Sequence, residues 1–415
     1  MDENKFLKLL PNLVEHLDQW SSYKNVRDIP SIEEADRQKL TPHIISIIRD
    51  NKENLPIEQV SKALDKEFAI QHKRNILIDE LVSVNTIAEQ NNISYVVLRG
   101  FSLQSYYPKN YIRQFNDIDI LVKTEEDLAL ILPKLQELGY FIAKPLTVRY
   151  QPESSNKLWM GIALNKIVPE LDHPIYLDVT LGGPSISFQT HYSLDEISWE
   201  RITYISLRDI KIPSFAPIDS ILVLLSETFE RTNLYIRDLL DLHQIIKHQS
   251  SQIDYDWLSN QIKQSNLENE YWRFYTLSET YGLTLITNFL SKLKVKEKNI
   301  RGKKFWLDIK NHILPTLNKR EINFKIYGFL YYFLIPIVDK LEDKYPLKAL
   351  NIICLFSPEK FFKLGLPIYL FPDTATEEKT ATLKFIKLNK YQCVVSTPIS
   401  TFQARIRPLY IEGEW

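Results

Sequence analysis

The segment Asp117-Ile-Asp-Ile-Leu-Val122 sets two carboxylates two residues apart in a run that is otherwise aliphatic. A strand turns residues i and i+2 to the same face, so the alternation that marks this segment as a strand also aims both acids one way. Adjacent like charges in an apolar run repel each other and are costly to desolvate, and a divalent cation shared by their oxygens is the usual compensation. Whatever fold the chain adopts must give this strand such a cation or water, because the same Asp-x-Asp pattern also occurs at solvated strand ends and helix caps.

The rest of the composition narrows the setting. A chain of 415 residues has room for about two or three compact units. With 44% hydrophobic and 25% charged residues it is neither disordered nor coiled-coil. Ten glycines are too few for a glycine-loop dinucleotide fold or a glycine-rich β architecture, which favours a helix-rich protein. Two cysteines, Cys354 and Cys393, build neither a disulfide framework nor a cysteine zinc cluster. No charged-then-apolar leader opens the sequence, so a reducing cytoplasm is the expected location. The net charge of −1 conceals a basic stretch, 292–363, with 16 Lys/Arg against 7 Asp/Glu. Its apolar run Tyr327–Val338 is too short to cross a bilayer and reads as a buried helix.

Periodicity predicts an α+β protein in four parts. Residues 1–90 read as helices, with Val60, Leu64 and Phe68, then Leu77, Leu81, Val84 and Ala88, at three- and four-residue steps. Residues 91–215 read as a mixed core: a strand in SYVVL ending at Gly100, a helical turn or two from Phe101, and the strand Asp117–Val122. A helix over Glu125–Leu138 follows, then extended segments at 140–143, 157–164 and 175–181. Residues 216–370 read as mainly helical, and 371–415 as an extended segment joining a sheet that the sequence does not identify. The strand IYLDVTL carries Asp178 between aliphatics, which makes full solvation awkward and offers a third carboxylate to Asp117 and Asp119.

The stretch Leu98–Val122, LRGFSLQSYYPKNYIRQFNDIDILV, resembles an uncharacterised bacterial nucleotidyltransferase family within the nucleotidyltransferase superfold, the DNA polymerase β-like core. The likeness extends over Asn91 to roughly Lys247. The resemblance implies a mixed sheet core and magnesium, or manganese, held by Asp117, Asp119 and Asp178 as catalytic acids. It also implies a triphosphate lined by Gly100 and Ser102, and transfer of a nucleoside monophosphate from an NTP such as ATP. Phe101 stands where the wider superfold has Gly or Ser. Arg99 beside the turn is either a nucleotide contact or a surface charge, and Arg113 either a phosphate contact or a salt-bridge partner of an acid. Arg237 and Asp241, in YIRDLLDL, are one helical turn apart and read either as a surface ion pair or as nucleotide contacts.

Other residues carry no chemical signal in their spacing. His173, His191 and His243 lack ligand spacing, the cysteines lack a base, and Glu227, Glu230 and Arg231 read as solvated. The aromatic run Trp257–Tyr281 reads as helix packing, with base stacking as its alternative, and the basic segment 292–304 as a solvated loop able to steer an anion. The expected partners are an NTP and an unidentified acceptor: a small molecule, a peptide or, on the basic C-terminal stretch, RNA. The alternative is a silent binding or toxin-antitoxin module that keeps the fold.

Overall fold

The structure is a computed structural model. It describes residues 13–14, 31–37, 39–108, 111–142, 144, 146–151, 157–184, 196–230, 234–249, 253–265, 267–296, 368–380, 384–387, 393–397 and 399–405. Tyr327–Val338, Cys354, His191, Arg231, residues 297–304 and the Cys393 and Glu230 side chains lie outside this description. The described residues form two units, one drawn from 13–121, 165–178 and 196–296, the other from 122–164, 179–184 and 368–405.

The first unit opens with helices α1 (Ile32–Arg37), α2 (Thr41–Asp50) and α3 (Ile57–Gln90). Thirty-four residues make α3 about 51 Å long. Only its second half behaves as the spacing predicts: Leu77, Leu81, Val84 and Ala88 are buried, whereas Leu64 and Phe68 are 47% and 72% exposed. The expected apolar face of the first half is a correction. A regular period gives a stripe, and neighbours decide whether it is covered.

After α3 come β1 (Tyr95–Val97), the short helix α4 (Arg99–Gln104) and β2 (Asp117–Val122). β6 (Ile175–Leu181) lies beside β2, and a hairpin of β7 (Thr203–Leu207) and β8 (Ile210–Ser214) completes the strand order β6-β2-β1-β8-β7. β1 and β8 run parallel with Val97 opposite Ser214. Periodicity predicts no strands at 203–214. The hairpin turns through Arg208 and Asp209, both at positive φ, 48° and 65°, the backbone a two-residue primed turn requires. The short helix α6 (Glu196–Glu200) precedes the hairpin, and helices α7 (Pro217–Glu230), α8 (Ile236–Gln249), α9 (Tyr255–Gln264), α10 (Glu268–Thr280) and α11 (Thr284–Leu290) follow it. Their apolar faces join Leu40, Ile44, Ile48, Val96, Leu98 and Leu121 in one core. The aromatic run belongs to it: Tyr271 and Phe274 are buried, and the Tyr271 hydroxyl donates to the Leu290 carbonyl at 2.9 Å.

The second unit holds α5 (Glu125–Glu137), begun by a reciprocal Thr124–Asp127 capping box. Of its strands β3 (Phe141–Ile142), β4 (Leu146–Gln151) and β5 (Lys157–Lys166), β4 pairs β9 (Ile368–Thr376) from much later in the chain, with Leu146 opposite Leu370, while β5 pairs β4 and β3 pairs β5. β10 (Lys384–Lys387), β11 (Cys393–Ser396) and β12 (Thr401–Arg405) extend the order to β10-β11-β12-β9-β4-β5. The sheet joined by the extended C-terminal strands is thereby identified.

Candidate active site

The acid pair sits where β2 begins. Asp117 is half-buried and Asp119 is 5% exposed. The Leu98 amide donates to the Asp119 carbonyl at 2.8 Å, tying the end of β1 to the strand that carries both acids. Asp178, on β6 next to β2, is half-buried and shares its strand face with exposed Tyr176, while Ile175, Leu177 and Val179 point the other way.

Arg99 is the cation paired with Asp119. Its φ of 52° lies in the left-handed region, which a non-glycine residue enters at a cost, and its Nη1 reaches Asp119 Oδ1 at 3.0 Å. Gly100 follows because Phe115 comes too close for a side chain: a Cβ there would lie 2.6 Å from the Phe115 Cβ. Phe101, the departure from the superfold pattern, turns into the core and packs on Phe115 with ring centroids 4.2 Å apart. Ser102 is buried and its hydroxyl accepts from Ser214 Oγ at 2.8 Å, joining α4 to β8.

The electrostatics of Asp119 are unusual. Burial pushes its carboxyl well above the usual range, Arg99 opposes this, and the charges of Asp117, Asp178 and Glu227 reinforce it. Glu227, on α7, is half-buried in the field of both Asp119 and Arg113, which corrects its reading as solvated. Sequence alone offered no signal for it, since an acid near the end of an amphipathic helix ordinarily faces water.

Arg113 and Asp241 meet each other. Arg113 Nε and Nη2 donate to the two Asp241 oxygens at 2.7 Å each, and the Tyr107 hydroxyl donates to Oδ1 at 2.7 Å. Both charged side chains are nearly inaccessible. Arg237 Nε lies 3.8 Å from Asp241 Oδ2, and its Nη1 donates to the Gln114 carbonyl at 3.5 Å. The Arg237–Asp241 pair is thus part of a buried network under the 111–116 segment rather than a surface pair. Burial raises the Asp241 carboxyl, but the Arg113 charge and hydrogen bonds outweigh it and hold the group below its usual range.

Among the described residues, no three His, Cys, Asp or Glu side chains gather closely enough to hold a metal ion unaided. His173 and His243 belong to no such group. Two carboxylates on one strand face nevertheless suit magnesium, which is commonly bound by one or two carboxylates plus substrate phosphates and water. Asp119, whose carboxyl is pushed upward first by burial and then by its acidic neighbours, is the kind of group a divalent charge would match.

Comparison with known proteins follows the same stretch. The pattern of a family described as "Uncharacterised nucleotidyltransferase" matches residues 31–281. No curated protein matches the sequence. A crystal structure of an antigenic nucleotidyltransferase-like protein from Paracoccidioides brasiliensis is 13% identical, with 53% of this chain and 94% of that chain covered and a TM-score of 0.31. JHP933 from Helicobacter pylori is also 13% identical, with 57% and 98% covered and a TM-score of 0.31. Among the described residues no helix is long and apolar enough to cross a membrane.

Proposed function

This chain belongs to the uncharacterised nucleotidyltransferase family, and from that premise we propose that it transfers a nucleoside monophosphate from an NTP to a hydroxyl or phosphate of an acceptor in the cytoplasm, releasing pyrophosphate. The observation that carries this is the buried Asp119, set two residues from Asp117, in the field of Asp178 and steadied by Arg99. Asp117 and Asp119 would hold magnesium or manganese, with Asp178 as the third acid. The ion supplies neutralisation of phosphate charge during displacement at the α-phosphorus.

The chain's own residues do the rest. Arg99 fixes the Asp119 carboxylate through one oxygen and leaves the other for the site. Asp178, more open to solvent than Asp119, accepts the proton of the acceptor hydroxyl. The backbone at Gly100 would line the nucleotide, while Ser102, bonded to Ser214, anchors α4 to β8. Arg113, Asp241, Tyr107 and Arg237 hold the 111–116 segment against α8, so that β2 starts in a fixed place.

The test is incubation with each α-labelled NTP, magnesium or manganese and a cell extract, following pyrophosphate and the labelled product. Asp119→Asn should abolish release without unfolding the protein. The Arg99 contact to Asp119, which neutralises one of the acids that would face a metal, favours the second reading, a silent binding or toxin-antitoxin module. Absence of pyrophosphate with every NTP across small-molecule, peptide and RNA acceptors would select it.

A further inference from the structure

The buried face of the second half of α3 runs through Leu77, Ile78 and Leu81, and one turn earlier it reaches Lys73 and Arg74. Residues four apart on a helix are neighbours, so Lys73 adjoins Leu77 and Arg74 adjoins Ile78. Both cations are half-buried. Lys73 Nζ donates to Asn116 Oδ1 at 3.3 Å, and Asn116 immediately precedes Asp117. The ammonium therefore stands at the mouth of the acid pair. Burial lowers its pKa, and the Asp117 charge only partly opposes this.

Arg74 is less well matched. Its Nε is buried with no hydrogen-bond acceptor among the described residues, and burial lowers its pKa with no acid opposing. A guanidinium stays charged at any physiological pH, so a buried donor of this kind is a standing cost that an incoming anion removes. A neutral Asn side chain satisfies at most part of an ammonium with three donors.

Acids that would take a cation, with Lys73 beside them at Asn116 and Arg74 next to Lys73 along α3, are complementary to a polyphosphate rather than to a lone anion or a lone metal. We infer that Lys73 and Arg74 seat the phosphate chain of the nucleotide, a binding element supplied by the helical segment ahead of the core rather than by the glycine turn. The inference rests on the nucleotidyltransferase reading proposed above, and it makes the phosphate chain the main source of nucleotide affinity. The family pattern, which begins at residue 31, includes this helix.

The test measures binding of each NTP and of the corresponding nucleoside, with magnesium, to the full chain and to Lys73→Gln, Arg74→Gln and Arg74→Lys, with thermal melting as the check on folding. Each Gln variant is expected to weaken NTP binding by at least about tenfold, the loss of one charge-assisted contact, and to leave nucleoside binding unchanged. Arg74→Lys should recover part of the loss, and KM should rise more than kcat falls. Lys73→Gln, altering a half-buried side chain with one hydrogen bond, carries the comparison if Arg74→Gln fails to fold. If the folded variants bind NTP within about twofold of the unmodified chain, the phosphate seat is wrong while the transferase reading stands. If the unmodified chain binds no NTP and releases no pyrophosphate, the transferase reading falls and the seat falls with it.

Discussion

Asp119 and Asp241 are almost equally buried, at 5% and 1% exposure, yet burial leaves them in opposite states. Desolvation raises both carboxyls. Asp241 answers it with a bidentate Arg113, a Tyr107 hydroxyl and a nearby Arg237, and its pKa falls. Asp119 has one Arg99 contact against three acidic neighbours, and its pKa climbs. Depth of burial does not decide protonation; the company of the group does. A satisfied buried ion pair serves as scaffold, and an unsatisfied acid is where a ligand is to be expected.

Substitutions at the two aspartates test that contrast most directly. Asp119→Asn should eliminate pyrophosphate release, a loss of about a thousandfold or more, and yet raise the melting temperature, because the amide removes a charge that burial and three acidic neighbours disfavour. A lowered melting temperature would show that Arg99 outweighs the three acids. At the other aspartate, Asp241→Asn, or Arg113→Met on its partner, should cost about 3–5 kcal/mol in denaturant unfolding, since each strands a buried charge. Tyr107→Phe removes one hydrogen bond to a charged group, for a cost of about 1.5–3 kcal/mol in the same measurement.

The pH dependence carries opposite signs. Asp119, with its folded pKa raised, contributes stability that is complete below the unfolded value near 3.8 and is lost as pH rises toward the folded value. Asp241, with its folded pKa depressed, contributes stability present above about 3.8 and lost as pH falls through its folded value. Melting curves of Asp119→Asn should therefore gain on the unmodified chain with rising pH, and those of Asp241→Asn should converge with it in acid. The smallest effect is expected at Glu227→Gln, which relieves one repulsion on Asp119 and changes stability by less than about 1 kcal/mol, read as a downward shift of the Asp119 titration.

Much of the local structure is legible in the sequence. DIDILV announces β2 by alternation, and IYLDVTL announces β6 with its bounds intact. The glycine turn is also visible, although the reason for Gly100 is the approach of Phe115, a contact no spacing rule contains. The hairpin at 203–214 carries no turn signal in the sequence, because its bend uses Arg208 and Asp209 at positive φ instead of the Asn-Gly or Asp-Gly pair that usually marks one. Half of the α3 stripe misled, since Leu64 and Phe68 keep helical spacing with nothing among the described residues to bury them.

Short-range patterning, with its periods of two and near four, determined which segments are strands or helices and that two acids leave one strand on the same side. Only the tertiary structure decided which charges meet. Arg113 and Asp241 are 128 positions apart, Arg99 and Asp119 20, and Lys73 and Asn116 43. Coulomb and hydrogen-bond energies depend on distance in space and on exclusion of water, and neither is written in the separation along a chain.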